Sequence, residues 1–414
     1  MIRFTIFVDQ SERENMKNIK GLSFLSLVAL LSLLPSTLSA QFTFDGRRNV
    51  VTTAVPFLMI TPDSRSGALG DAGVALPMDA NAIHWNPAKL AFAEENMGLT
   101  LSYVPWLKAL VPDINLSYLS GYSRIDEKSA FGASLRYFSL GDITFTNDYG
   151  EFLGDFRPYE LAVDGAYARK LSETFSLGLA LRLIYSNLAG NTPLSNGTET
   201  KPGVAFAGDI SAYWKPEPVK LDGKQLDIAL GGNISNLGSR ITYTVETDRD
   251  FIPMNLRVGA YFNYHIDEYN EFAFTFDLNK LLVPTSPIYD PDSFVNGEFL
   301  ILWGKNPDVP VMQGLFQSFS DAPGGFKEEM REINPAFGIE YWYDRMVAAR
   351  AGYFYEHETK GNRQYLTLGI GLKYNILNLD VSYILPTGKK TASETSPLQN
   401  TVRFSLLFNL GTGK

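Results

Sequence analysis

The chain has 414 residues, of which 45% are hydrophobic and 20% are charged, and its formal net charge is -9. This acidic balance argues against a nucleic-acid partner, which would need a basic face. Cysteine is absent, which excludes disulfides, thiol nucleophiles, lipid attachment through cysteine and cysteine-based metal sites.

The N-terminus has the pattern of an export signal. From Met16, a lysine-containing start precedes an apolar stretch at 22–34, and Ser39-Ala40 supply small residues for cleavage. The apolar stretch is too short to span a membrane comfortably, which argues against the alternative of a single anchoring helix. We expect 1–40 to be a signal peptide, with Met16 the likelier initiator.

The next segment, 41–97, lacks any regular alternation of apolar and polar residues. Its punctuating residues are glycines spaced by three and an Asn-Pro-Ala run: Gly67, Gly70, Gly73, Asn86, Pro87 and Ala88. No strand precedes the glycines and no Lys-Ser/Thr follows them, which argues against a phosphate-binding loop. The stretch 79–90 predicts a helical turn, a break and a second short helix. We expect a compact element that sits inside a barrel as a plug.

From residue 98 onward the hydrophobic pattern has a period of two. In the last such segment Val402, Phe404 and Leu406 share one face, and Arg403 and Ser405 share the other. Each strand therefore has one apolar and one polar face. Fourteen segments follow this pattern: 98–106, 112–123, 129–140, 158–169, 174–187, 203–214, 225–236, 254–265, 271–280, 335–343, 346–357, 364–374, 376–386 and 399–410.

The connections between these segments alternate between short and long. The exceptions are 215–224, which is long for a turn, and 107–111, which is short for a loop. Bacterial outer-membrane barrels have an even number of strands, short periplasmic turns and long extracellular loops. A soluble β-sandwich or propeller, the alternative, has no reason to sort its loops in this way. We predict an all-β fold, a transmembrane antiparallel β-barrel at 98–414 with a long outer loop at 281–334.

The polar faces of the predicted strands carry charges of both signs and several glycines. The charged residues are Arg136, Asp164, Arg182, Asp209, Asp227, Arg257, Asp277, Glu340, Arg350, Asp380 and Arg403. The glycines are Gly132, Gly178, Gly259, Gly338 and Gly352. Because buried charges must pair, we favour a structural role for the charges over a substrate track. The glycines permit bending or leave room for a plug.

The run SGALGDAGVALPMDANAIHWNPAKLAF, at 66–92, resembles the start of FadL-like outer-membrane barrels, where a glycine-rich stretch and an Asn-Pro-Ala motif precede the first strand. Asn86-Pro87-Ala88 match the last element. With the opening QFTFDGRRNVVTTAVPFLMITPDSRSGALGD, the likeness covers nearly the whole mature chain. Over this length the chain resembles the PorV family of outer-membrane proteins of the type IX secretion system.

This resemblance implies a fourteen-stranded, FadL-like barrel in the outer membrane, with its loops facing the extracellular side. The implied function is non-enzymatic protein transport. The barrel would receive secreted cargo with C-terminal signal domains from a giant translocon barrel. It would pass the cargo to a sortase-like protein for attachment to lipopolysaccharide. The family has also been linked to lipid A deacylation.

For the transport function, the long outer loop supplies the candidate contact residues for a partner or cargo. These are Leu315, Phe316, Phe319 and Phe326, because exposed aromatic residues on a long loop suggest docking of another protein. The loop also contains a charged, helix-like run at 327–332. The alternative is that the loop folds inward and uses these side chains as its own core.

Two other functions stay open. A FadL-like channel for hydrophobic small molecules would use inward apolar residues, for which the candidates are Phe138, Ile184, Phe354 and Ile384. A lipid A deacylase would need a nucleophile beside a base. The three histidines, His84, His265 and His357, have no neighbouring serine motif, and no Gly-x-Ser-x-Gly elbow occurs. We predict no catalytic residue, cofactor or metal site.

Overall fold

The computed structural model describes residues 48–108, 111, 113–146, 149, 152–188, 190, 199–244, 249–295, 298–388 and 396–412. The predicted signal peptide, 1–40, lies outside these residues. So does the beginning of the predicted plug segment, 41–47.

Fourteen antiparallel strands of the described chain close into a barrel. They are β1 Glu95–Pro105, β2 Asn115–Arg124, β3 Ser129–Ser139, β4 Tyr159–Lys170, β5 Phe175–Asn187, β6 Gly203–Trp214, β7 Lys224–Gly238, β8 Asn255–His265, β9 Asn270–Leu281, β10 Asn334–Tyr343, β11 Val347–Phe354, β12 Tyr365–Tyr374, β13 Leu377–Pro386 and β14 Val402–Thr412. Each strand pairs with its neighbour in sequence, and β1 pairs with β14 from Glu95↔Thr412 to Tyr103↔Phe404. This last pairing closes the barrel, so the barrel sheet has no free edge.

The predicted fold class is confirmed, and each predicted segment overlaps one of the observed strands. The two classes of connection lie at opposite ends of the barrel. The first end carries the short links, such as 125–128 and 375–376, and the opposite end carries the long links, such as 282–333. The long turn at 215–223 is explained by a short strand, Val219–Leu221, which pairs with the start of β7 around Asp222 and Gly223, both at positive φ.

The outward faces of the strands are mostly large and apolar, as a lipid-facing surface requires. Leu99 and Leu101 on β1 and Leu179 and Leu181 on β5 are examples, all exposed. The inward residues between them are buried. Strand β7 departs from regular pairing, because its register with β6 shifts between Ile234 and Leu237.

Residues 55–93, called the inner segment from here on, form short helical pieces joined by tight turns. They are a 3₁₀ turn Pro56–Met59, α1 Ser64–Ala68, α2 Ala82–Trp85 and a second 3₁₀ helix Pro87–Phe92. Asp63 caps α1 by accepting a 2.8 Å hydrogen bond from the Ser66 backbone nitrogen. Most of the segment is buried, including α2 and its Trp85.

The long connection 282–333 has elements of its own. It contains a β-hairpin, Ile288–Val295 and Glu298–Trp303, and two short helices, α3 Val311–Gln317 and α4 Phe326–Met330. Another hairpin, Ile143–Thr146 and Phe152–Phe156, lies between β3 and β4. Among the described residues no helix is long and apolar enough to cross a membrane.

Candidate functional site

The inner segment lies in the lumen, because inward glycines on strands around the barrel contact it. A Cβ atom added to Gly132 on β3 would come within 2.8 Å of Ile83, and one on Gly338 on β10 within 2.6 Å of Leu69. At Gly178 and Gly352 the added atom would overlap backbone atoms of the segment. These positions therefore have no space for a side chain. The segment packs directly on the barrel backbone.

The three predicted glycines of the segment each meet a different close neighbour. An added Cβ on Gly67 would lie 2.8 Å from Cδ of Arg403, and one on Gly73 would overlap the ring of Trp85. Gly70 has a φ of +71° and lies against the backbone of β10 and β11. At each of the three positions a side chain would collide with a neighbour, and only Gly70 also needs a positive φ.

The predicted Asn86-Pro87-Ala88 motif joins α2 to the following 3₁₀ helix. Oδ1 of Asn86 accepts a 3.1 Å hydrogen bond from the Ala88 nitrogen, and its Nδ2 donates to the carbonyl oxygens of Val74 and Ala212, both at 3.0 Å. Pro87 begins the helix, where its missing N–H costs nothing. One asparagine therefore caps a helix and ties two turns of the segment to β6.

Inward polar side chains of the barrel satisfy the backbone of the inner segment. Asp277 on β9 accepts hydrogen bonds from the nitrogens of Gly73 and Val74 at 2.7 and 2.9 Å. Thr367 on β12 accepts from the Gly70 nitrogen at 2.9 Å and donates to the Ala68 carbonyl at 2.8 Å. Irregular backbone can stay buried only when its polar groups are paired in this way. The sequence pattern placed Asp277 inward but did not identify its partners.

The inward charges form compact ionic groups in the wall. Arg182 on β5 donates to Asp164 on β4 and, at 3.2 Å, to Asp209 on β6. All three are buried. Asn236, the extra residue of the β7 irregularity, donates its backbone nitrogen to Asp209 at 2.8 Å. One cation thus faces two carboxylates, and a bulge residue supplies further hydrogen bonds.

A second ionic group ties the inner segment to the opposite wall. Arg350 on β11 donates to Glu340 at 2.6 Å and to Asp380 at 2.5 Å. Arg65 of the inner segment donates to the same Glu340 through two bonds of 3.1 and 2.8 Å. Arg403 pairs with Asp71 at 3.0 Å in a similar way. Arg65 and Asp71 could not be identified from the sequence pattern, because only the position of the segment brings their partners near.

Near the middle of the segment, two buried arginines meet His84, and within the described chain neither has a carboxylate at ion-pair distance. Arg136 Nη2 lies 2.8 Å from His84 Nδ1, and Arg257 donates to the His84 carbonyl at 3.2 Å while stacking over Trp85 at 4.8 Å. Burial, with the charge of Arg136 next in weight, lowers the pKa of His84 well below its usual range. The imidazole is therefore neutral and accepts at Nδ1.

The other histidines have different surroundings. His265, at the short-turn end, lies 2.7 Å from Asp227, and His357, at the long-loop end, lies 3.0 Å from the Thr359 hydroxyl. Among the described residues, no histidine hydrogen-bonds a serine, and no group of three or more His, Asp or Glu side chains has metal-binding geometry.

A cavity of about 460 Å³ remains at the long-loop end of the lumen, between residues 50–61 and the wall. Val51, Met59 and Phe354 give it apolar surface, and its lining also carries charges of both signs: Arg257, Lys360, Arg363, Asp71, Glu332 and Glu356. The four inward residues of the channel hypothesis pack in two apolar clusters. Phe138 stacks on Phe57 of the inner segment at 6.1 Å. Ile184 lies in the same apolar cluster, and Phe354 and Ile384 lie in a second one.

The four predicted contact residues of the long loop separate into two environments. Leu315 is 8% exposed and packs in an apolar cluster with Phe251, Met254 and Leu282. The phenylalanines are open to solvent, with exposures of 68%, 49% and 72% for Phe316, Phe319 and Phe326. Leu315 thus belongs to a core that the long loop shares with the connection between β7 and β8, and the candidate contact residues narrow to the three phenylalanines.

A buried ionic cluster holds this loop against the barrel. Lys280, at the end of β9, donates to Glu329 and Glu332 at 3.2 and 2.7 Å. Lys360, from the next long connection, donates to Glu332 at 2.8 Å and to Glu328 at 2.6 Å. The charged run predicted at 327–332 is therefore partly helical, as α4, and supplies the carboxylates of an anchor rather than a solvated face.

Several solved structures share this architecture at low similarity. The toluene transporter TbuX of Ralstonia pickettii is 13% identical, with a TM-score of 0.45, and the match covers 84% of this chain and 97% of that one. The toluene transporter TodX of Pseudomonas putida is 14% identical, with a TM-score of 0.43 and coverage of 83% and 95%. A FadL homologue of Pseudomonas aeruginosa is 12% identical, with a TM-score of 0.41 and coverage of 87% and 99%. At these values the likeness says nothing about what this chain binds.

No curated protein matches the sequence. The family described as "Type IX secretion system protein PorV" matches residues 43–288. That span exceeds half of the 414 residues. The chain is therefore an outer-membrane β-barrel that belongs to the PorV family.

Proposed function

We propose that this barrel is a non-enzymatic component of the type IX secretion system that handles cargo at the cell surface. It receives secreted proteins with C-terminal signal domains from a giant translocon barrel and passes them to a sortase-like attachment protein. The observation that carries the proposal is the set of three exposed phenylalanines held on a loop that is itself anchored by buried ion pairs.

These three residues, Phe316, Phe319 and Phe326, are called the loop aromatic surface. Large aromatic side chains contribute strongly to protein interfaces because they bury much apolar area at small entropic cost. On a protein without a partner such residues would be expected to collapse inward. Here Leu315, in the same helix as Phe316, fills the loop core instead. The surface is thus available for a partner without unfolding the loop.

The anchor favours rapid, specific docking over coupled folding. Lys280, Glu332 and Lys360 link the loop to β9 and to the next long connection through buried contacts of 2.7–2.8 Å. A surface that is already ordered loses little conformational entropy when a partner binds. The loop can then present its aromatic residues to successive cargo proteins in the same geometry.

The packing of the inner segment supports a role at the rim of the barrel. We propose that this segment is a plug, because Asp277, Thr367 and Asn86 satisfy its backbone and the inward glycines bring the wall into direct contact with it. A folded or extended cargo chain cannot share that space. Cargo handling therefore takes place on the long loops, which face the extracellular side and lipopolysaccharide in this proposal.

The test is co-purification from detergent-solubilised outer membranes of cells that make a tagged full-length chain. We expect a very large outer-membrane barrel and a sortase-like protein in the eluate. In a strain that lacks this chain, we also expect cargo with C-terminal signal domains to stay inside the cell. A strain without the chain that secretes and attaches cargo normally, with neither partner recovered, would exclude the transport function.

A second function, a channel for small hydrophobic molecules, is favoured by the cavity of about 460 Å³ at the long-loop end. Its apolar surface, with charges of both signs around it, suits a hydrophobic molecule that carries a polar group. Uptake of a radiolabelled fatty acid by the deletion strain distinguishes the two functions. Lost uptake with normal cargo attachment would favour the channel, and the reverse result favours cargo handling.

A further inference from the structure

The β-hairpin of the long loop exposes an unusual apolar strand. In Glu298–Trp303, four successive large side chains are open to solvent, with exposures of 49% for Phe299, 51% for Leu300, 37% for Ile301 and 53% for Leu302. Successive side chains of a strand point to opposite faces. Both faces of this strand are therefore apolar and uncovered, so burial in the loop core does not explain its composition.

The two strands of the hairpin differ in how their outer edges are protected. The first strand, Ile288–Val295, contains Asp290-Pro291-Asp292. Asp290 accepts hydrogen bonds from the Asp292 nitrogen at 3.1 Å and the Ser293 hydroxyl at 2.6 Å. The register between the strands shifts in this region. A proline, charges and an irregular register are the devices by which proteins prevent edge-to-edge pairing.

Between Phe299 and Leu302 the second strand has no proline and no charged residue, and its one irregularity is the register shift at Leu302. On one side it pairs with the first strand, as at Tyr289↔Ile301 and Phe294↔Phe299. Within the described parts of the chain, no strand pairs with its other side. The backbone N–H and C=O groups there form a row that another strand can match.

The root of the hairpin is fixed to the rest of the loop. Asn49 donates to the Ser286 carbonyl at 3.2 Å, and Asp321 accepts from the Thr285 nitrogen at 3.2 Å. Gly304 turns at a φ of +96°, and an added Cβ would lie 3.1 Å from Pro287. The strand is thus held in place before any partner arrives.

We infer that Glu298–Trp303 binds another protein by β-strand addition, and that the partner contributes the exposed edge strand of a β-sheet domain. An added strand satisfies the backbone groups of the edge, while apolar side chains of both strands pack on the two faces. A lipid environment would leave those backbone groups unpaired, and a helix has no matching row of donors and acceptors. The inference is independent of the loop aromatic surface, which uses other residues.

The exposure of these residues allows cross-linking one site at a time. A photoreactive amino acid is placed at 299, 300, 301 and 302, one at a time, in the full chain in living cells. The matched control carries it at 292, on the protected strand. Cross-linked peptides are then mapped by mass spectrometry.

Strand addition predicts that the four positions react with one strand of one partner, and that each step of one residue here moves the adduct by one residue there. Position 292 should give no such adduct. The double variant Leu300→Lys/Leu302→Lys should lower the yield at 299 roughly tenfold, because charges on an edge block pairing. The amount of heat-modifiable barrel should stay unchanged, since both side chains are exposed.

Four outcomes overturn the inference. They are adducts to lipid alone, adducts to the hairpin of a second copy, adducts scattered over helical or irregular segments, and no adducts at 299–302 while the same amino acid reacts elsewhere in the loop.

Discussion

The carboxylate of Asp277, on strand β9, accepts a hydrogen bond of 2.7 Å from the backbone nitrogen of Gly73, in the inner segment. The same oxygen accepts from Val74 at 2.9 Å. A single side chain of the wall thus holds the turn at Gly73 and Val74, in the middle of the inner segment. One inward carboxylate of the wall therefore holds two backbone N–H groups of the inner segment.

Replacement of Asp277 by asparagine should loosen the segment. The amide oxygen can still accept both bonds, but it lacks the negative charge that strengthens them. The amide nitrogen is then buried in the place of Oδ1, which has no hydrogen-bond partner, and an unsatisfied buried donor costs about 1–3 kcal/mol. The measurement is maleimide labelling of Val74→Cys in whole cells, and the chain itself has no other cysteine that could react. We expect faster labelling with Asp277→Asn than without it. Asp292→Asn, on the exposed hairpin, should have no effect. Equal rates in all three proteins would contradict the anchoring role.

A methyl group on an inward glycine of the barrel wall should also disturb the inner segment. In Gly352→Ala the new Cβ would overlap the backbone at Leu69 and Gly70. Overpacking of this kind costs about 1–3 kcal/mol, so the temperature at which the barrel unfolds on SDS gels should fall. Gly232→Ala is the matched control, because nothing lies within 4 Å of the added atom. A Gly352→Ala barrel as heat-resistant as the control would exclude close packing of the segment.

Loss of the cation Arg182 should destabilise the barrel. Arg182→Met leaves Asp164 and Asp209 buried and facing each other without a counter-charge, which costs about 3–5 kcal/mol. The expected result is a lower unfolding temperature and less folded barrel in the membrane. Arg157→Met removes the exposed ion pair with Asp142 and should leave the unfolding temperature unchanged. A similar loss in both variants would indicate that burial does not set the cost.

The long loop should become less stable as the pH rises from about 4 to about 6. Burial raises the pKa of Asp321 to about 6 from an ordinary value of 3.8, so in this interval the folded loop binds more protons than the unfolded one. Stability then falls with rising pH, and it is regained on acidification. Hydrogen exchange of the Thr285 amide measures this. Asp321→Asn should remove its contribution, and an unchanged pH profile in that variant would assign the dependence to other groups.

The strands were predictable because each alternates against lipid on one side and the inner segment on the other. In β14, Phe404 and Leu406 face outward while Arg403 and Ser405 are buried, as the period of two required. Strand β2 is less regular, since Tyr118 and Tyr122 face inward and Ser117 and Ser123 do not. Its pattern still has a period of two, but polarity alone would assign the faces the other way.

The arrangement of the site was less predictable. The sequence placed Asp277 and Arg350 inward, but their partners Gly73 and Arg65 are distant in sequence and lie in a segment without periodicity. The hairpin of Ile288–Val295 and Glu298–Trp303 was missed, because a two-stranded element with both faces exposed has no alternation of apolar and polar residues. Leu315 and Phe316 are equally apolar in sequence. Only the packing of the loop separates the buried residue from the exposed one.

Cargo handling by the loop aromatic surface is tested most directly by Phe316→Ser/Phe319→Ser/Phe326→Ser in the full chain. The readout is the amount of cargo that co-purifies with the barrel and becomes attached at the cell surface. The matched control is Phe152→Ser, on another long loop, where the side chain is 65% exposed. We predict that the triple variant folds to a normal heat-modifiable barrel but loses bound and attached cargo, whereas the control retains both. Normal cargo binding and attachment by a folded triple variant would contradict the proposed function of this surface.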